Sequence, residues 1–244
     1  MAMWNPWRGC HRYSEGCRFC YIHKGDAKRG VCTDEIVKTN GFLAPVERNS
    51  KGEYNMKSGQ MVYVCFSSDF LLPEADHWRD ECWQMIHARQ DLHFLFLTKR
   101  IDRFLDCIPD DWADGYENVT VGCTVENQEL ADRRLALFSD LPIRHKNIIC
   151  QPMLEAIDLT AYLPGVELVV AGGESDRDAR PLYYEWIVSL REQCVAQSVA
   201  FEFRQCGTKF VKDGTAYTLP VKLQGVQARK AGLNWYPDGY VDPR

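Results

Sequence analysis

Cys10, Cys17 and Cys20 stand in the run Gly9-Cys10-His11-Arg12-Tyr13-Ser14-Glu15-Gly16-Cys17-Arg18-Phe19-Cys20-Tyr21, spaced Cys-x6-Cys-x2-Cys. Three thiolates this close in sequence can hold three corners of an iron–sulfur cubane. Protein-held clusters normally take four Cys. A set of three leaves one iron open to a small molecule and points to chemistry at the cluster rather than electron storage alone. Zinc is the rival reading: Cys10, Cys17 and Cys20 with His23, three residues beyond Cys20, make a Cys3His set that needs no catalysis. Against it, no second Cys knuckle completes a ribbon, and Cys32 is left unplaced. Ordinary free thiols are the third reading.

The charge around this motif is uneven. Residues 1–30 carry Arg8, Arg12, Arg18, Lys24, Lys28 and Arg29 against Glu15 and Asp26, a net +4 in a chain of net −5. Local positive charge favours thiolates and attracts anionic ligands. The acidic total argues against a general nucleic-acid coat. Eleven Cys is an odd count. Cys65, Cys123, Cys150 and Cys194 lie in apolar segments and are expected to pack as small hydrophobes, not as a disulfide framework.

The elements that must position these groups alternate. Strands are expected at Met3–Asn5, Met61–Phe66, His93–Leu97, Asn118–Thr124, Lys146–Cys150, Val166–Ala171 and Val199–Phe203. Most are near-continuous apolar runs, as parallel strands covered on both faces require. Helical stripes follow at Pro73–Gln90, Ile101–Ile108, Asn127–Phe138 and Pro181–Gln197. Such βαβ alternation predicts a full or partial (β/α) barrel of parallel strands, TIM-barrel-like, with a doubly wound open sheet as runner-up. The domain reading is a barrel over 1–206, its Cys loop at 7–23, a polar surface insertion at 38–60, and a C-terminal tail or lid at 207–244. No apolar run reaches the ~18 residues of a membrane helix, and the N-terminus lacks a signal-peptide pattern. A cytoplasmic protein is expected.

In parallel α/β folds, functional groups gather at the C-terminal strand ends. Those ends read Ser67-Ser68-Asp69, Thr98-Lys99-Arg100, Thr124-Val125-Glu126, Gln151-Pro152-Met153, Gly172-Gly173-Glu174-Ser175 and Arg204-Gln205-Cys206-Gly207. Each could be a helix cap; together they ring one rim. Paired glycines allow close approach of a ligand to the backbone. Asp69, Glu126 and Glu174 could also serve a hydrolase, a competing function for the same rim.

Cys17-Arg18-Phe19-Cys20-Tyr21 resembles the end of the cluster motif of radical S-adenosylmethionine enzymes. That resemblance implies a [4Fe-4S] cluster that binds S-adenosylmethionine at its open iron and cleaves it to a 5′-deoxyadenosyl radical, in a full or partial (β/α) barrel. More widely, the chain resembles a family of phage and bacterial proteins of uncharacterised function. The likeness runs through Trp4-Asn5-Pro6, Gly9-Cys10, Ser14-Glu15-Gly16-Cys17, Phe66-Ser67-Ser68-Asp69-Phe70, Leu97-Thr98-Lys99-Arg100, Gly122-Cys123-Thr124-Val125-Glu126, Ala131-Asp132-Arg133-Arg134, Gly172-Gly173-Glu174-Ser175 and Ala179-Arg180-Pro181. The first Cys interval is longer than the x3 usual in radical enzymes. Their Gly-Gly-Glu lies early in the barrel, at the second strand, whereas here it ends the sixth predicted run. Where this family tends to show Cys-Glu-Pro and Gln-Trp-Gly, the chain has Cys150-Gln151-Pro152 and Gln205-Cys206-Gly207.

The resulting expectation assigns Cys10, Cys17 and Cys20 to the cluster. Ser68, Gly172, Gly173, Glu174 and Gln205 are assigned to S-adenosylmethionine, and Asp69, Lys99 and Glu126 to catalysis. The substrate class is a nucleic acid or nucleotide. A zinc-bearing barrel that binds nucleic acid or a partner protein without turnover is the alternative.

Overall fold

The computed structural model describes residues 2–241. Seven parallel strands form one sheet: β1 (Ala2–Trp4), β2 (Met61–Val64), β3 (His93–Thr98), β4 (Val119–Thr124), β5 (His145–Cys150), β6 (Val166–Gly172) and β7 (Ala200–Gln205). Their spatial order is their sequence order, and every neighbouring pair is parallel. A doubly wound sheet reverses its strand order at a switch point; this one does not. The architecture is a half-barrel of TIM type, as the alternation predicts.

Five helices of nine residues or more accompany the sheet: α1 (Tyr21–Arg29), α2 (Asp76–Ala88), α3 (Gln128–Asp140), α4 (Tyr184–Ala196) and α5 (Val221–Lys230), with a four-residue helix at Phe104–Cys107. On β5, Ile148 and Cys150 join the main core, which also holds Trp83 and Ile86 of α2, while Ile149 faces the concave side. The period of two thus sorts an apparently uniform apolar run into two faces. Cys65, Cys123, Cys150 and Cys194 are all buried. Asn127 caps α3, its side-chain oxygen accepting from Leu130 N at 2.9 Å. Among the described residues no helix is long and apolar enough to cross a membrane.

Two expectations need correction. The last long helix starts at Tyr184, not Pro181, because Leu182 and Tyr183 pair in parallel with Phe210 and Val211 of β8 (Lys209–Lys212). Sequence-distant pairing overrides the helical stripe there. The 38–60 segment is docked rather than merely superficial. Phe42 and Met56 are buried, and the fully buried Arg89 donates to Pro45 O and, at 2.8 Å, to Met56 O. The described part of the tail, 207–241, packs on the barrel at its last strand. Lys209–Lys212 and β9 (Thr215–Thr218) form a hairpin, α5 packs on β7, and Trp235 bridges Phe201 of β7. It seals the last strand of an open sheet, an edge that would otherwise be exposed.

Candidate functional site

The Cys loop follows β1 and is tied to the rim strand by strand. Cys10 N donates to Thr33 O at 2.8 Å. Gly9 has φ +95°, and a Cβ there would stand 2.4 Å from Glu35 O, so only glycine lets this turn close. Ser68 Oγ donates to Gly9 O. Arg100 Nη2 donates to His11 O at 3.1 Å. Arg180 Nη2 donates to Glu15 O at 2.9 Å. Tyr21 OH donates to Phe66 O at 2.5 Å. The loop is thereby held by side chains following three separate strands, and its own Tyr21 reaches back to a fourth anchor on the backbone at Phe66.

Glu126 is the deepest of these ties. It is fully buried. Its Oε1 accepts from Ser14 Oγ and Lys99 Nζ, and its Oε2 accepts from Arg134 Nη1 at 2.7 Å. Burial pushes its carboxyl upward, but Lys99 and Arg134 outweigh that and hold it below the usual range. Gly16 lies directly on it; a Cβ would come within 2.5 Å of the Glu126 side chain.

The anchored loop forms one wall of a cavity of about 470 Å³ on the concave side of the sheet. Cys10, Cys17 and Cys20 all line it, together with Gly173, Glu174 and Gln205. Burial, and then Asp69, push the Cys10 thiol up to about 12, with Arg100 opposing. A metal bound there must displace that proton. Among the described residues no three His, Cys, Asp or Glu side chains converge closely enough to hold one ion. His23 is buried on α1 and does not line the cavity. Both facts count against the Cys3His zinc arrangement. A cubane makes a different demand, because each thiolate binds its own iron and the sulfurs stand further apart. Three soft donors on one cavity wall, with Lys99 and Arg100 beside them, fit that group.

Of the remaining expected residues, Ser68, Asp69, Lys99, Gly173, Glu174 and Gln205 line the cavity. Gly172 and Glu126 do not. Gly172 is filled in by Gln151 and Gln205, which a Cβ would meet at 3.1 and 3.2 Å, and Glu126 lies behind Lys99. The carboxylates are engaged. Asp69 accepts from Thr98 Oγ1 at 2.8 Å, Lys99 N at 3.1 Å and Arg100 Nη1 at 3.1 Å. Glu174 accepts from Arg180 through both oxygens, at 2.5 Å and 3.1 Å. A hydrolytic carboxylate needs a free lone pair near its water or substrate, so this pairing counts against the hydrolase. Gln205 Nε2 donates to Gly173 O at 2.7 Å and Ser175 Oγ at 2.9 Å, which fixes the double-glycine turn.

Two cavity residues escaped the sequence reading. Cys65 is a core thiol by composition but lines the cavity with φ +57°. Asn147 sits inside an apolar strand, and only the pleat of β5 reveals that it faces inward.

No curated protein matches the chain. Two solved structures are similar. One is a spore photoproduct lyase variant with bound AdoMet and dinucleoside spore photoproduct: 14% identity, TM-score 0.46, 86% of this chain and 57% of that one. This chain therefore spans little more than half the length of that protein. The other is spore photoproduct lyase complexed with dinucleoside spore photoproduct: 13% identity, TM-score 0.49, 93% of this chain and 69% of that one. The family model described as protein of unknown function (DUF5131) matches residues 1–235, and the chain belongs to that family.

Proposed function

We propose that this chain is an iron–sulfur enzyme of the radical S-adenosylmethionine type, acting on a nucleic acid or nucleotide. The observation that carries the reading is that Cys10, Cys17 and Cys20 share one wall of the half-barrel cavity, at the strand ends where such folds place their chemistry. Bound there, a [4Fe-4S] cluster supplies the one-electron reduction of S-adenosylmethionine.

The chain's own residues bind and orient. Cys10, Cys17 and Cys20 are the cluster ligands. Ser68 and Arg100 hold the first turn of the loop, and Glu126 holds its middle through Ser14. Gly173 presents backbone to the cavity, stiffened by Gln205. Glu174 reaches the cavity already neutralised by Arg180, so it offers S-adenosylmethionine a shaped polar surface rather than a bare charge. Lys99, partly exposed and paired with Glu126, lines the cavity and steadies negative charge on a bound ligand. Tyr63, Leu95, Leu97 and Ile149 line the cavity deeper in and exclude water. The basic 1–30 segment supports an anionic substrate.

Anaerobic purification with iron and sulfide analysis, followed by dithionite and S-adenosylmethionine, tests this reading. A brown protein that releases 5′-deoxyadenosine is the expected result. A fully loaded cluster that releases none, or one zinc per chain with no iron, overturns it.

A further inference from the structure

Asn147 is 6% exposed, lines the cavity, and its Oδ1 has no hydrogen-bond partner. Its surroundings explain why. It pairs in register with Gly122 on one side and Leu168 on the other, and Ile149 follows two residues along the same face. Gly122 offers no side chain, and the space above it is taken by Leu97 and Ile149. Thr120, the nearby hydroxyl of β4, is already engaged by His93 Nε2 at 2.7 Å. An amide oxygen is thus set into an aliphatic wall with no protein group to satisfy it. Buried polar groups without partners are rare in native structures and call for a reason.

We propose that Asn147 is the specificity residue of the substrate chamber, reading the donor–acceptor edge of a single nucleobase that enters the half-barrel. The inference rests on the cavity being the substrate chamber of the enzyme proposed above. An amide offers one donor and one acceptor side by side, the complement of a nucleobase edge. Leu97, Ile149, Leu168 and Val170 supply the flat apolar contacts that a base requires. A chamber walled by strands excludes a duplex, so the base must come from a nucleotide, a single strand or a flipped position.

The same geometry locates the phosphate. Leu168 pairs with Asn147 on one side and with Ala200 on the other. Arg204 lies four residues beyond Ala200 on β7, about 13 Å toward the rim at a strand's rise per residue. It is exposed, lines the cavity, and forms no ion pair among the described residues. A base edge at Asn147 leaves a 5′-phosphate within reach of that guanidinium.

The test measures binding of AMP, GMP, CMP and UMP to the full chain carrying its cluster, by calorimetry. One base is expected to bind at least tenfold tighter than the weakest. Asn147→Leu should remove that preference while keeping iron content and raising or preserving the melting temperature, because replacing an unsatisfied polar group by an apolar one is neutral or stabilising. Asn147→Asp, which lacks the donor, should shift the preference to another base. Arg204→Ala should weaken the monophosphates about tenfold and leave the parent nucleosides unchanged. Equal binding of all four nucleotides, or an unchanged preference in Asn147→Leu and Asn147→Asp, overturns the inference. Asn147-dependent binding in a chain that takes up no iron would sustain it while removing the radical chemistry; normal 5′-deoxyadenosine release with Asn147-independent binding would do the reverse.

Discussion

The two ends of the half-barrel both carry polar groups and a cavity, yet they use them differently. At the C-terminal end, carboxylates and cations pair across elements: Asp69 with Arg100, Glu126 with Lys99 and Arg134, and Glu174 with Arg180. Each pair braces the Cys loop or the double-glycine turn around the cavity. At the N-terminal end, a cavity of about 370 Å³ is lined by His93, His145, Glu167 and the tail residue Tyr240. There His145 Nδ1 meets Glu167 Oε1 at 2.7 Å and His93 meets Thr120, contacts made between neighbouring strands of the sheet. The contrast teaches that charge alone does not mark a functional site. The upper end holds loop and sheet together around three thiols and one unsatisfied amide oxygen, whereas the lower end pins adjacent strands to each other.

The largest test of that contrast is metal content. Cys17→Ala should lose most of the iron measured after anaerobic reconstitution, whereas Cys194→Ala, on the buried face of α4, should keep its iron and lose only stability. Equal iron in the two variants would erase the distinction.

Next in size is the bracing. Glu126→Leu leaves Lys99 and Arg134 facing each other without their shared anion. Breaking a buried pair from one side costs about 3–5 kcal/mol, to be read from denaturant unfolding. The loop should also loosen, so iron loading falls with stability. A change below about 1 kcal/mol would mean that the network is ornamental, since this is what exposed pairs are worth.

The smallest effect belongs to the lower end. The hydrogen bond to Glu167 raises the His145 pKa above its ordinary value, with Glu117 assisting; burial and then His145 lower that of His93. The signs are opposite. The His145 contribution is fully present below about pH 6.5 and is lost as pH rises through its raised folded value. The His93 contribution is present above about pH 6.5 and is lost as pH falls through its lowered folded value. His145→Gln should therefore cost stability at pH 6 and little at pH 8, by about 1 kcal/mol or less, while iron content stays unchanged at both. A loss of iron would join the two ends functionally and break the comparison.

Every strand of the sheet was legible in the sequence, because parallel strands covered on both faces leave apolar runs that few other structures produce. The three thiols were legible from spacing alone, and so was the ring of polar residues at the strand ends. Which polar residue faces the cavity and which lies behind it was not. Glu126 and Lys99 read alike as rim residues, but the first is buried as an anchor and only the second reaches the wall. The Leu182–Tyr183 pairing was hidden because its partner, Phe210–Val211, lies across the whole of α4 in sequence. Local periodicity carries no information about such a contact.

The amino-acid order therefore determined the parallel (β/α) alternation, the cysteine motif and the end of the sheet that bears it, since periodicity and thiol spacing are local properties of the chain; that the barrel is half-closed emerged only from the fold. Tertiary structure alone decided which carboxylates are spent on arginines and lysines. It also decided that Cys10, Cys17 and Cys20 line one cavity with Gly173 and Gln205, and that Asn147 turns inward with its Oδ1 unpartnered. Those outcomes depend on the pleat of each strand and on distances between segments far apart in sequence, which exist only once the sheet has curved.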